Sequence, residues 1–337
     1  LTALAALSPE TAFDHLQVFA SHTSPFARTY GARAASMIGS QTGSNAEPRS
    51  PYVTGAQEIL KTLAQDPVPN VRTAAVQGLF RLSGHEMDRN LRAQLTQTDP
   101  QLLQTAADLL QDTPNPQEAV PPLLQAFHRL SSEGKETLRD PRMAILNRLA
   151  QVGDATDAGQ LEPYLMDYDP LVAERVAALL SEWTGQEFSA NPEPWPETPV
   201  PTPGELRKLA ETRFILVLEG GGEIELRLFP MLAPTNSARF SRLAQAGYFD
   251  GLTFHRVVPN FVLQGGSPAA NEMAGDGPHT RDEIGLLSNW RCTIGVSTRG
   301  RDTGDGQIFI NLVDNLRLDH NYTLFAEVVR GMDVVDQ

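Results

Sequence analysis

The sequence predicts a multidomain protein: an N-terminal α-solenoid over residues 1–188, a proline-rich linker over 189–205 and an antiparallel β domain over 206–337. Three observations carry that division. Ala, Leu and Gln recur at helical spacing through the first half. Six prolines then crowd one short stretch, and beyond it apolar and polar residues alternate in runs of strand length. At 337 residues the chain is also long for a single hydrophobic core, which favours two domains.

In the helical half, similar openings recur: Pro69-Asn70-Val71-Arg72 before Ala74-Ala75-Val76, Asp99-Pro100 before Ala106-Ala107, Asp140-Pro141 before Ile145-Leu146, and Asp169-Pro170 before Ala177-Ala178. Ser24-Pro25 is a fifth candidate, and the spacing is roughly 30–45 residues. The chemistry suits a helix start. Asp or Ser caps exposed N–H groups, and Pro sits in the first turn, where its missing N–H is not needed. The segment Asp66 to Ala75 resembles the D-x-x-P-x-V-R-x-x-A opening of HEAT repeats; the other copies are degenerate, and an irregular helical bundle is the alternative. No catalytic constellation stands out here. A repeat stack implies a surface for an unidentified protein partner.

Residues 189–205 carry prolines at 192, 194, 196, 199, 201 and 203, a pattern that predicts an extended, semi-rigid spacer with no helix; Trp195 is free to dock on either domain. Beyond it, Phe214 to Phe229 alternates about Gly220-Gly221-Gly222. Because this glycine run leads into Glu223-Ile224-Glu225-Leu226, a strand, it predicts a hairpin turn rather than a phosphate loop. Thr235 or Asn236 is the expected cap of a short helix running to Ala246 and closed by Gly247.

The centre of the β domain is Tyr248 to Gly266. A strand-like run from Leu252 to Val258 meets Pro259-Asn260, then Phe261 to Leu263, then Gln264-Gly265-Gly266. Arg256 is a fixed cation inside this apolar text, and an unpaired buried charge costs several kcal/mol. From these residues alone it is either half of a structural ion pair or a preorganised donor beside an apolar pocket.

The run Phe254-His255-Arg256-Val257-Val258-Pro259-Asn260-Phe261-Val262-Leu263-Gln264-Gly265-Gly266 resembles the signature of cyclophilin-type peptidyl-prolyl cis/trans isomerases, F-H-R-V-[IV]-P-x-F-x-x-Q-G-G. The resemblance continues in order. Val296-Ser297-Thr298 stands where the family has Met-Ala-Asn, Gly306-Gln307-Ile308-Phe309-Ile310 for its G-S-Q-F-F-I segment, and Leu316-Arg317-Leu318-Asp319 with Tyr322 and Phe325 for its last pocket region. It covers about residues 214–336 and is closest to the bacterial type.

The resemblance implies a closed antiparallel β-barrel with flanking helices, its last strand missing after Gln337, and catalysis of Xaa–Pro rotation in peptides and unfolded proteins. It implies Arg256 and Gln264 as catalytic residues, and Phe261, Val262, Ser297, Thr298, Gln307, Phe309, Leu318 and Tyr322 as substrate contacts. His255, adjacent to Arg256, falls on the opposite face by strand alternation and reads as a satisfied structural histidine rather than a proton shuttle. Three departures matter. Arg317 replaces a Trp of many eukaryotic relatives, which implies weak cyclosporin binding; Tyr322 replaces a His; Thr298-Arg299 replaces Asn-Ala, which implies a narrowed neighbouring subsite favouring acidic or polar residues. A non-catalytic proline-peptide scaffold using the same pocket is the alternative function, and a barrel merely accompanying functional repeats is a third.

Composition excludes other classes. The net charge of −14 argues against nucleic acid as the main partner, and no apolar run approaches the ~20 residues of a membrane span. Cys292, the only cysteine, allows no intrachain disulfide or Cys-based metal site, and the seven histidines lack ligand spacing. No cofactor or metal is expected. The compartment is not legible: a chain starting at Leu1 is compatible with removal of an export signal and equally with a cytoplasmic protein.

Overall fold

A computed structural model describes residues 1–41, 51–192 and 199–337. The chain divides into two compact units, Leu1–Gly134 with Leu138–Pro194, and Lys135–Thr137 with Trp195–Gln337. Residues 193–198 of the expected linker, Trp195 among them, lie outside the described residues.

The first unit is helical. Its helices are α1 (Thr2–Leu7), α2 (Pro9–Ala20), α3 (Pro25–Gln41), α4 (Pro51–Leu63), α5 (Pro69–Ser83), α6 (Asp88–Gln94), α7 (Pro100–Leu109), α8 (Pro116–Ser132), α9 (Arg139–Val152), α10 (Ala158–Leu161) and α11 (Pro170–Thr184). Proline opens most of the long ones, where its ring presets φ and no donor is lost. Asp99 and Asp169 cap as their spacing predicts, accepting the N–H of Gln101 and Leu171 at 3.1 Å each. Asp140 does not cap: α9 already starts at Arg139, so Pro141 falls in the first turn, where a missing N–H is still harmless.

Arginines of one opening reach the aspartates of a later one. Arg28 pairs with Asp66 at 2.6 Å, Arg72 with Asp99 at 3.6 Å and Arg139 with Asp169 at 2.6 Å. Arg142 is fully buried, 2.9 Å from Asp167 and with its guanidinium 4.5 Å from the Tyr168 ring centre. Such a charge is tolerable only because it is paired. The core around these pairs is mainly Ala, Leu and Val, including Ala35, Ala75, Leu103, Ala106, Leu146 and Val176.

The second unit begins with α12 (Pro203–Glu211), inside the stretch expected to be extended. Pro203 occupies the first helical position. Thr202 and Glu205 form a reciprocal capping box, so a Pro that ends a spacer also starts a helix. Strand β1 (Arg213–Val217) and β2 (Glu223–Leu228) make the expected hairpin, with Gly221 at φ 85° in its turn.

Helix α13 (Pro234–Gln245) follows, but neither Thr235 nor Asn236 caps it through its own side chain. Glu283, 47 residues on from Asn236, accepts the backbone N–H of Thr235 and of Asn236 at 2.9 Å each. A carboxylate also suits the positive end of the helix dipole. Then come β3 (Arg256–Val258), β4 (Val262–Gly265), β5 (Thr293–Val296), β6 (Ile308–Asn311), β7 (Leu324–Arg330) and α14 (Met332–Val335). The strand expected from Leu252 starts only at Arg256.

The strands form one antiparallel sheet in the order β1-β2-β7-β5-β6-β4-β3. The expected closed barrel is therefore an open half-barrel, with β1 and β3 at its edges because each has one partner strand. Phe240 of α13 anchors its core, with ring centres of Phe249 and Phe325 at 5.2 Å and of Phe214 at 5.4 Å. No helix among the described residues is long and apolar enough to cross a membrane.

Candidate active site

Strand register assembles the site. Arg256 of β3 stands opposite Gln264 of β4, Gln264 opposite Phe309 of β6, and Phe309 opposite Gly295 of β5. Directly paired residues share one face of an antiparallel sheet, so these four form a row across four strands. Gly295 makes that row possible: a Cβ there would stand 2.3 Å from Phe309 Cζ. Its missing side chain is the space the phenylalanine ring uses.

The row borders a cavity of about 210 Å³, and all ten residues predicted for the site line it. Val262 and Phe309 are buried in its wall, while Phe261 is half-buried. Asn315 fixes Phe261 by donating to its carbonyl at 2.9 Å. Leu318 comes from a single helical turn, Leu316–Leu318, and Tyr322 from the following loop, edge-on to Phe309 with ring centres 5.5 Å apart. Ser297 and Thr298 continue from the end of β5. These side chains give an apolar cup with one polar wall.

That wall is a hydrogen-bond relay. Arg256 Nη1 donates to Gln264 Oε1 at 3.1 Å, and Gln264 Nε2 donates to Ser297 Oγ at 2.9 Å and to Gln307 Oε1 at 3.3 Å. Gln307 Nε2 donates onward to the carbonyls of Glu272 and Ala274, each at 3.1 Å. Glu272 also holds Arg256 directly, its carboxylate 3.3 Å from Nε. The Arg256 side chain is 41% exposed, so both earlier readings of it meet here: it is ion-paired and it stands at the rim of an apolar cavity. Its Nη2 has no hydrogen-bond partner among the described residues.

The chain belongs to the cyclophilin-type peptidyl-prolyl cis-trans isomerases. The family described as "Cyclophilin type peptidyl-prolyl cis-trans isomerase/CLD" matches residues 214–337. Peptidyl-prolyl cis-trans isomerase B of Bacillus subtilis is 39% identical over 127 residues, 35% of this chain and 83% of that protein. A peptidyl-prolyl cis-trans isomerase of Helicobacter pylori is 36% identical over 134 residues, 39% of this chain and 82% of that one. Peptidyl-prolyl cis-trans isomerase A of Dickeya dadantii is 36% identical over 131 residues, 36% of this chain and 69% of the relative.

One feature of this cyclophilin domain departs from the expectations. His255 is buried on the far side of Arg256, but it is not satisfied: neither ring nitrogen makes a hydrogen bond of regular geometry among the described residues. Burial, with the Arg256 charge adding to it, lowers its pKa to about 4, against a weak opposing contact from the Thr253 backbone. It is a neutral core residue. Arg317 lays its guanidinium 4.1 Å from the Phe261 ring centre and so covers one side of the cup.

Glu272 and Gly295 carried no sequence prediction. A glycine inside a strand is a recognisable hint of close approach, but Glu272 lies in an irregular loop with no pattern around it. Arg299, expected only to narrow a subsite, lines the cavity and ion-pairs with Asp305 at 3.5 Å.

Proposed function

We propose that this cyclophilin domain accelerates rotation about Xaa–Pro bonds in peptides and unfolded proteins, with Arg256 as the catalytic donor. The observation that carries the reading is the row of Arg256, Gln264 and Phe309, an anchored cation and an apolar ring bordering one cavity. The planar amide owes its barrier of ~18–20 kcal/mol to resonance, so no nucleophile is required. Phe261, Val262, Phe309 and Leu318 hold the pyrrolidine ring still. The twisted amide is less polar than the planar one, so an apolar cup favours it.

As resonance breaks, the prolyl nitrogen gains a lone pair that Arg256 is free to meet with Nη2, since Gln264 and Glu272 already hold Nη1 and Nε. That contact exists only near the transition state, so it lowers the barrier rather than tightening substrate binding. A preorganised donor of this kind contributes on the order of 3–4 kcal/mol, or 10²–10³ in rate. Arg256→Ala is therefore expected to lose that factor in kcat/KM while keeping the fold. NMR exchange on an Ala-Pro-Phe peptide checks it, and wild-type turnover in the variant refutes the assignment.

The same geometry bears on inhibitors. A flexible cation over Phe261 in place of a flat indole supports weak cyclosporin binding. The helical unit is read as a HEAT-like arm over residues 1–188 that presents a protein-binding surface. The Arg–Asp pairs linking successive proline openings support that reading.

A further inference from the structure

The relay behind Arg256 does not end at Gln307. Asp305, its side chain 1% exposed, lies beneath it. Asp305 Oδ1 accepts the Gln307 backbone N–H at 2.8 Å, and Oδ2 lies 3.4 Å from Gln307 Nε2. Oδ2 is also 3.5 Å from Arg299 Nη1, and Arg299 donates to the Glu272 carbonyl. Arg256 thus has two anchors, Gln264 and Glu272. The first leads back through Gln307 and the second through Arg299, and both lines converge on one carboxylate. The fold leaves room for it: a Cβ on Gly275 would stand 2.4 Å from Oδ2.

We propose that ionised Asp305 is a positioning residue of the isomerase site, orienting Gln307 and Arg299 so that both anchors of Arg256 are held in register. This rests on the reading of Arg256 as the catalytic donor. Burying a lone carboxylate costs several kcal/mol, and a purely apolar packing role needs no such group.

Protonation breaks the arrangement for a geometric reason. Oδ2 faces two donors, Gln307 Nε2 and Arg299 Nη1, so a proton there puts donor against donor. The charged and titratable groups around Asp305 are few. Arg299 lies on the loop after β5, and Arg239 of α13 is 2.6 Å from Asp276. Asp276 accepts the Gly306 N–H at 2.8 Å, and the Tyr248 hydroxyl donates to the Gly266 carbonyl at 2.8 Å. Burial raises the Asp305 carboxyl to about 6; Arg299 and the Gln307 N–H oppose the rise, Asp276 adds to it and Arg239 weakly opposes it. The site is then in register above about pH 6 and loses it below.

The test uses the full chain and its Asp305→Asn variant, which keeps the side-chain shape and the Oδ1 acceptor. Isomerisation of an Ala-Pro-Phe peptide and the side-chain amide resonances of Gln264 and Gln307 are followed from pH 8 to pH 5. In the wild type, kcat/KM is expected to fall as pH drops through about 6, and the amide resonances to move with the same midpoint. In Asp305→Asn, kcat/KM at pH 8 is expected to be roughly tenfold lower with little change in KM. Its pH profile flattens and its amides stay put. Stationary amides in the wild type, or wild-type kcat/KM in the variant at pH 8, overturn the proposal. The amide titration needs neither turnover nor a folded variant. A wild type without isomerase activity whose amides still titrate sinks the catalytic reading and leaves the coupling standing.

Discussion

At the scale of single residues, the site depends on one side chain that is absent. Gly295 faces Phe309, and a methyl there would overlap the ring at 2.3 Å from Cζ and 2.6 Å from Cε1. Gly295→Ala is expected to turn the Phe309 ring, raise KM for Ala-Pro peptides and cost about 1–3 kcal/mol of stability, as overpacking does. Peptide titration and thermal unfolding check it; unchanged KM and midpoint together count against a fixed ring. The ten predicted site residues were legible because each sits in a motif whose order and spacing resemble the family. Glu272 and Asp305 were not. Their roles come from distances to Arg256, Gln307 and Arg299, which local sequence does not encode.

At the scale of elements, local signals located the starts of α3, α5, α7 and α11, the helix α13 and the β1–β2 hairpin, but misassigned some element ends. Thr235 and Asn236 carry cap chemistry, yet the carboxylate that satisfies the start of α13 is that of Glu283. A distant acceptor wins because it takes two N–H groups at once and carries a full charge against the helix dipole. Glu283→Ala is expected to destabilise the cyclophilin domain by about 1–2 kcal/mol, and Thr235→Ala to be nearly neutral. Urea unfolding of both variants checks this; equal losses would show that the threonine hydroxyl caps after all. Pro203 is the opposite case. Its neighbours Thr202 and Glu205 already spelled a capping box, and the density of prolines around them obscured it.

At the scale of the whole molecule, two buried groups of the cyclophilin domain pull its acid stability in opposite directions. His255 has a folded pKa of about 4 against an ordinary 6.5, so its contribution is complete above pH 6.5 and lost as pH falls toward 4. Asp305 is raised from 3.8 to about 6, so it favours the folded state as pH falls through that range. Each effect is on the order of 3 kcal/mol at its limit, and the two roughly offset. His255→Leu is therefore expected to gain stability on acidification from pH 7 to pH 4.5 relative to the wild type, and Asp305→Asn to lose it. Unfolding free energies at the two pH values check this, and parallel slopes in all three proteins would contradict it.

Periodicity, proline placement and motif order are properties of neighbouring residues, so the linear chain alone determined that helices precede a β domain and pointed to ten of the residues that line the cavity, without Glu272 and Arg299. Strand register and burial join residues far apart in the chain. Only the folded sheet could decide that Arg256, Gln264, Phe309 and Gly295 form one row, that the sheet stays open, and that a carboxylate with no motif of its own lies beneath them. Local patterns encode which side chains face inward. The distances between them are set by the packing of the whole domain.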